Sequence, residues 1–270
     1  MLAPESEAPS PEDAFNAHLR WAVLLGQRTA ELHRAFAIET DDPAFAVEPF
    51  EADDLAMLAK DARHQAARAF KGLDAITAWS PGSASEALAA RRGEVETLID
   101  ELAAGPLRGA TKTRIHGDYH LGQVLASEGD LIIVDFEGEP SRPVEQRRAK
   151  STPLRDVAGM LRSFAYGAET VVREITARFG DSEERARNAA IAWRGMIDAA
   201  FLDGYGQAVA GSRAAVEDAE THRGLLRLSL LTKALYEVDY EVNNRPDWIE
   251  IPARGVLNIL DEAKRDRASV

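Results

Sequence analysis

Apolar positions recur three or four residues apart along most of the chain, and this spacing predicts a largely helical protein. Once, between Arg114 and Pro140, it gives way to two short apolar runs around a turn. The first helix opens at Pro11-Glu12-Asp13 and carries Phe15, Leu19, Ala22, Val23, Leu32 and Phe36 to about Ala37. Its His33 reads as a surface or half-buried residue. Two Ala-, Leu- and Arg-rich helices are predicted over 51–78 and 85–104, parted by Ser80-Pro81-Gly82. Thr152 and Pro153 cap and open a helix that buries Leu154, Val157, Leu161 and Phe164. Asp181-Ser182-Glu183-Glu184 caps another, with Ile191, Trp193, Met196, Ile197 and Phe201 as core, ending at Asp203-Gly204-Tyr205 before a shorter piece to Ala210. A helix over 221–243 has a stripe of Leu225, Leu228, Leu231, Leu235 and Val238, and Pro252 opens the last.

The non-helical stretch holds the chemistry. Ser127-Glu128-Gly129-Asp130 breaks the two apolar runs as a hairpin turn does. The loop before the first run contains Asp118, and the second run ends on Asp135. A hairpin therefore brings two carboxylates to one edge. Phosphoryl transfer uses such a pair: one carboxylate orients the attacking hydroxyl, and the other, with an amide oxygen, holds magnesium against the nucleotide phosphates. Gln123 follows Asp118 by five residues, the offset between catalytic Asp and metal-binding Asn in kinase catalytic loops. Asp135-Phe136-Glu137-Gly138 stands where those kinases carry Asp-Phe-Gly, with Glu137 inserted.

This stretch resembles the catalytic core of the aminoglycoside-phosphotransferase-like kinases. Asp135 to Pro140, Pro153 to Ser163 and Lys233 to Glu237 resemble, within them, the bacterial maltokinases, including those fused to trehalose synthase. The resemblance implies an α+β, predominantly α fold: the C-terminal lobe of a protein-kinase-like architecture with a small catalytic β-hairpin. Residues 1–10 are expected to be a disordered lead or linker remnant, and 11–270 the helical lobe, with its catalytic hairpin at 114–140. ATP and Mg2+ are the implied cofactors, and maltose is the implied acceptor, phosphorylated at its 1-hydroxyl. Asp118 would act on that hydroxyl with His116 supporting the loop, while Gln123 and Asp135 would hold the metal. Asp156 would brace the catalytic loop, and Glu137 would support the site. Lys233, Tyr236, Glu237 and Tyr240 share one helical face; with His120 and Arg245 they are the candidate sugar contacts. The family's N-terminal lobe, with its phosphate-covering loop and lysine, is not found in this sequence. The chain is therefore expected to be a fragment or the end of a fusion that binds ATP weakly alone.

Composition narrows the rivals. The net charge of -13 argues against a nucleic-acid partner, which needs clustered Lys and Arg. No run approaches the ~20 apolar residues of a membrane span, and the acidic, Pro-rich start lacks the form of a signal peptide. The absence of cysteine suits a cytoplasmic location. The one dense basic segment, with Arg142, Arg147, Arg148 and Lys150, reads as ion-pairing with Glu137, Glu139 and Glu145 ahead of phosphate neutralisation. Three alternatives stay open: a glucosamine or aminoglycoside kinase of the same fold, a zinc hydrolase built on His116, His120 and Asp118, and a non-catalytic scaffold.

Overall fold

The computed structural model describes residues 11–140, 142–179 and 183–269. The expected lead over 1–10 and the cap at Asp181 and Ser182 lie outside the described residues. Helix α1 spans Pro11–Phe36. A two-residue strand β1, Glu48–Pro49, leads into α2, Ala52–Asp74, which a reciprocal cap between Glu51 and Asp54 opens. Helices α3, Ala84–Ala89, and α4, Arg92–Ala103, then precede β2, Thr111–Lys112, the antiparallel partner of β1. Next come the hairpin strands β3, Val124–Ser127, and β4, Asp130–Ile133. Among the described residues α-helices follow: α5, Val144–Arg148; α6, Leu154–Phe179; α7, Glu183–Val209; α8, Ala219–Asn244; and α9, Glu250–Ala268.

The helices pack in pairs around one core. Helix α1 runs along α7, α2 along α8, and α6 lies against α7, α8 and α9. The stripe on α8 supplies its centre: Leu225, Leu228, Leu231, Leu235 and Val238 are all buried. Side chains of this size contribute ~1.5–3 kcal/mol each on full burial. Among the described residues no helix is long and apolar enough to cross a membrane.

Three expectations are corrected. The helix expected over 85–104 is two, because the Glu250 carboxylate binds the backbone N–H groups of Ala84 and Ser85 and directs α3 onto α9, while α4 turns to α2. Gly204 does not end α7. The helix runs through it to Val209, and the glycine is there for contact: a Cβ at Gly204 would strike the carbonyl of Val23, and one at Gly26 that of Phe201. Of the five α7 residues expected in the core, Ile197 and Phe201 are buried but Ile191 and Met196 are exposed. Apolar residues lie all round this Ala-rich helix, so spacing alone did not identify its inner face.

The hairpin is antiparallel with Val124 opposite Ile133 and Ser127 opposite Asp130. Glu128 and Gly129 both adopt positive φ, the two-residue turn that matches strand twist. A salt bridge from Arg28 of α1 to Asp130, 2.7 Å, ties the turn to the helical body.

Candidate active site

The candidate catalytic loop, residues 114–120, enters from a short bridge. Thr113 and Ser151 exchange backbone hydrogen bonds at 3.0 and 2.9 Å, which sets the loop beside the start of α6. Thr152 then accepts from Leu154 N, and the first turn of α6 presents Asp156. Asp156 is 2 % exposed. Its Oδ2 accepts the backbone N–H of His116 at 2.7 Å, and its Oδ1 that of Gly117 at 2.9 Å. His33 Nε2 lies 3.2 Å away and completes the set. Burial pushes this carboxyl upward, but the His33 contact and the two backbone donors outweigh it and hold it below the usual carboxylate range. His33 is fully buried, not the surface or half-buried residue expected from the sequence, and its Nδ1 meets the Tyr205 hydroxyl at 3.0 Å.

His116 sits behind the loop at 1 % exposure. Its Nε2 lies 2.9 Å from the Val134 carbonyl, so that nitrogen carries the hydrogen, and Nδ1 is left to accept from Asp118 N at 3.4 Å. Its ring also packs on Tyr119 and Phe136. Both nitrogens face protein, so His116 offers neither to a metal. The zinc arrangement weighed from sequence loses its first ligand. Among the described residues no cluster of three or more His, Cys, Asp or Glu is arranged to hold a metal. Tyr119 is anchored in turn: the Thr29 hydroxyl donates to Leu25 O, which leaves Thr29 to accept from the Tyr119 hydroxyl at 2.8 Å. On the other side, α6 meets the loop at Gly159, where a Cβ would come within 2.5 Å of the Tyr119 carbonyl.

The hairpin brings Gln123 to Asp135. Gln123 Nε2 donates to Asp135 Oδ2 at 2.9 Å. The Gln123 side-chain amide and the Asp135 carboxylate are thus neighbours, and an amide oxygen with a carboxylate makes a hard donor set of the kind that magnesium accepts. Asp135 has φ of 67°, in the left-handed region that a non-glycine residue enters at some cost. His120 caps the short 3-10 turn Leu121–Gln123 by accepting from Gly122 N at 3.0 Å. It is half-buried. Burial first, and Lys233 and His116 after it, lower its pKa, while Asp118 and Asp135 act in the opposite sense. Glu137 is exposed; its backbone carbonyl accepts from Arg147.

Asp118 lines a pocket of about 50 Å³ together with Asp61 of α2, Glu139, Arg155, Lys233 and Tyr236. The candidate face on α8 is therefore divided. Lys233 and Tyr236 reach this pocket, with the Lys233 ammonium 5.0 Å from the Tyr236 ring centre. Glu237 does not: it is 7 % exposed and bound by Arg162 of α6 at 2.8 and 2.6 Å. Tyr240 and Arg245 stand farther along, where Arg245 pairs with Glu241 and lies over the rings of Tyr240 and Trp248. The basic segment forms ion pairs, with partners beyond those expected. Arg142 bonds Asp61 at 3.0 Å as well as approaching Glu139, and Lys150 bonds Glu48. Asp61 escaped sequence reasoning because it looks like any carboxylate on the polar face of α2. Arg155 could have been noticed as the neighbour of Asp156.

Comparison with known proteins returns sugar kinases. Glucosamine kinase of Streptacidiphilus jiangxiensis is 30 % identical over 248 residues, covering 91 % of this chain and 50 % of that protein. Glucosamine kinase of Mycolicibacterium smegmatis is 30 % identical over 262 residues, covering 95 % and 58 %. A solved structure of glucosamine kinase in complex with glucosamine, ADP and inorganic phosphate superposes with a TM-score of 0.74 at 27 % identity, over 96 % of this chain and 58 % of that one. The chain spans about half the length of the curated relatives it matches. These relatives are glucosamine kinases, so they lend no support to the maltose and trehalose-synthase parts of the sequence reading. The model of the APH phosphotransferase enzyme family matches residues 2–216, and the chain belongs to that family.

Proposed function

We propose that this chain supplies the catalytic loop and acceptor pocket of an ATP-dependent sugar kinase whose acceptor is an amino sugar, with glucosamine first among candidates. The observation that carries the reading is the placement of Asp118. Its loop is fixed from beneath by Asp156, and its pocket is lined by Lys233 and Tyr236. Asp118 would accept the proton of the attacking hydroxyl, and the brace keeps its backbone from drifting as charge develops. Gln123 and Asp135 would hold Mg2+, whose contribution is to neutralise charge on the nucleotide phosphates. The pocket is lined by Asp61, Asp118, Glu139 and Asp156 against Arg142, Arg155 and Lys233, a slightly acidic balance that tolerates an ammonium group. The names of the relatives point the same way, which is why an amino sugar displaces maltose in this reading.

The test is a phosphoryl-transfer assay on the whole natural protein containing this chain, run with glucosamine, maltose and an aminoglycoside at equal concentration. Glucosamine should give the highest kcat/KM. Preference for maltose would restore the maltokinase reading, and absence of transfer to any sugar would remove the kinase assignment.

A further inference from the structure

His120 lies on the span of chain that joins the two halves of the site. Asp118 stands before it, at the acceptor pocket, and Gln123 after it, bonded to Asp135. The charges of Asp118 and of Asp135 both reach its ring. From this loop the pocket is lined by Gly117, Asp118 and Tyr119, so the structure sets His120 beside that pocket rather than in it.

One nitrogen of the ring is committed and the other is not. Nδ1 accepts the backbone N–H of Gly122 at 3.0 Å, which puts the hydrogen of the neutral ring on Nε2. Gly122 allows this fit: a Cβ there would come within 2.9 Å of Nδ1 and 2.8 Å of Cε1. Nε2 has no hydrogen-bond partner among the described residues, and it is not buried. Burial of the ring first, and the Lys233 ammonium after it, favour the neutral form, so the ring stands as an N–H donor at neutral pH. The arginines of the pocket are committed. Arg142 pairs with Asp61 and Glu139, and the charge of Arg155 is met by Asp61, Asp156 and Glu139.

A phosphoryl group in transfer passes between the carboxylate that activates the hydroxyl and the metal that holds the nucleotide, and it spreads negative charge over its equatorial oxygens. A fixed N–H donor on the span between those two positions meets that charge without reorganising. We propose that His120 is a catalytic residue of the transfer, its Nε2–H donating to an oxygen of the migrating phosphoryl group while Nδ1 fastens the ring to the loop. This rests on the kinase reading above, but not on the identity of the acceptor. In the step, the acceptor oxygen bonds to the terminal phosphorus as the bond from that phosphorus to the bridging oxygen of the leaving nucleotide breaks. Asp118 takes the hydroxyl proton, and His120 keeps its own.

Two substitutions in the whole natural protein separate the two nitrogens. His120→Asn keeps an acceptor for the Gly122 N–H, as asparagine does at helix caps, and removes the outer donor. His120→Gln extends an amide N–H as far as Nε2. His120→Asn should lower kcat by ~100-fold, the scale of losing one preorganised donor, with KM for glucosamine and the magnesium requirement unchanged. His120→Gln should recover most of that loss. Calorimetry of ADP binding with Mg2+ and acceptor, with and without aluminium fluoride as a mimic of the migrating phosphoryl group, gives a readout apart from turnover. The tightening that the fluoride brings should fall about tenfold in His120→Asn, the scale of one hydrogen bond to a charged group. Normal kcat and full tightening in His120→Asn would reduce His120 to a cap. A raised KM with unchanged kcat would place it on the sugar, and equal losses in both variants would assign the effect to ring packing; each of these overturns the donor role. A wild-type protein that transfers phosphate to no sugar would overturn the kinase reading on which the proposal rests.

Discussion

His33 of α1 and Asp156 of α6 meet in the core at 3.2 Å, 123 residues apart in sequence. The same carboxylate holds two backbone N–H groups of the candidate catalytic loop, so this contact joins the first helix to the loop through one side chain. Asp156→Asn keeps the shape and removes the charge, and should lower stability by about 2–3 kcal/mol at pH 7, the range for hydrogen bonds to charged groups. The folded pKa of Asp156 lies below its ordinary value, so its contribution is present above about pH 4 and lost as pH falls through the depressed folded value. Denaturant titrations at pH 7 and pH 3 check this: the gap between wild type and variant should narrow at low pH. An unchanged gap would remove the charge from the account.

Asp118→Asn should reduce turnover of the whole protein by ~100-fold or more, the lower end for loss of a positioned base. Acceptor affinity should change little, since the pocket keeps Lys233 and Tyr236. Steady-state kinetics with matched binding data distinguish loss of chemistry from loss of binding.

Asp135→Asn should abolish magnesium-dependent turnover with little change in thermal midpoint. Asparagine tolerates the left-handed backbone that Asp135 adopts, whereas alanine there adds strain and confuses the result. A magnesium titration of activity, read beside a melting curve, separates the two effects.

Glu237 and Tyr236 are adjacent but should fail differently. Glu237→Ala leaves Arg162 charged and buried, and should destabilise by ~3–5 kcal/mol. Tyr236→Ala should leave stability nearly intact and raise KM for the acceptor more than for ATP. Chemical denaturation and kinetics on both variants give the comparison, and a Glu237 variant of normal stability would contradict the buried pair.

Asp198 of α7 has the opposite sign to Asp156. Burial pushes its carboxyl up to about 6 despite Arg194 at 3.3 Å. A raised acid pKa means that stability is full below about pH 4 and falls as pH rises to about 6. Asp198→Asn should therefore stabilise the protein by about 1–3 kcal/mol at pH 7.5 and have little effect at pH 4. Melting curves at the two pH values test the difference.

Local order is what the sequence by itself determined. Periodic apolar positions mark α1 and α8 closely, since a helix that packs by one stripe writes its period into the chain. Glu128-Gly129 between two apolar runs marks the hairpin, because few residue pairs accept that turn. The hairpin is a local object, so the approach of Gln123 to Asp135 was also legible. Tertiary structure decided what depends on elements far apart in sequence. The division of the α8 face is set by Arg162 of α6, which draws Glu237 inward and leaves Tyr236 at the pocket. Asp61 joins Asp118 in one pocket only because α2 packs on α8, and His33 becomes a core residue only because α1 packs along α7, which sets it between Asp156 and Tyr205. Gly204 looked like a stop and is a contact, because its meaning lies in the carbonyl of Val23 on another helix. A spacing rule sees one helix at a time, whereas burial and pairing of charge are properties of two or more in contact.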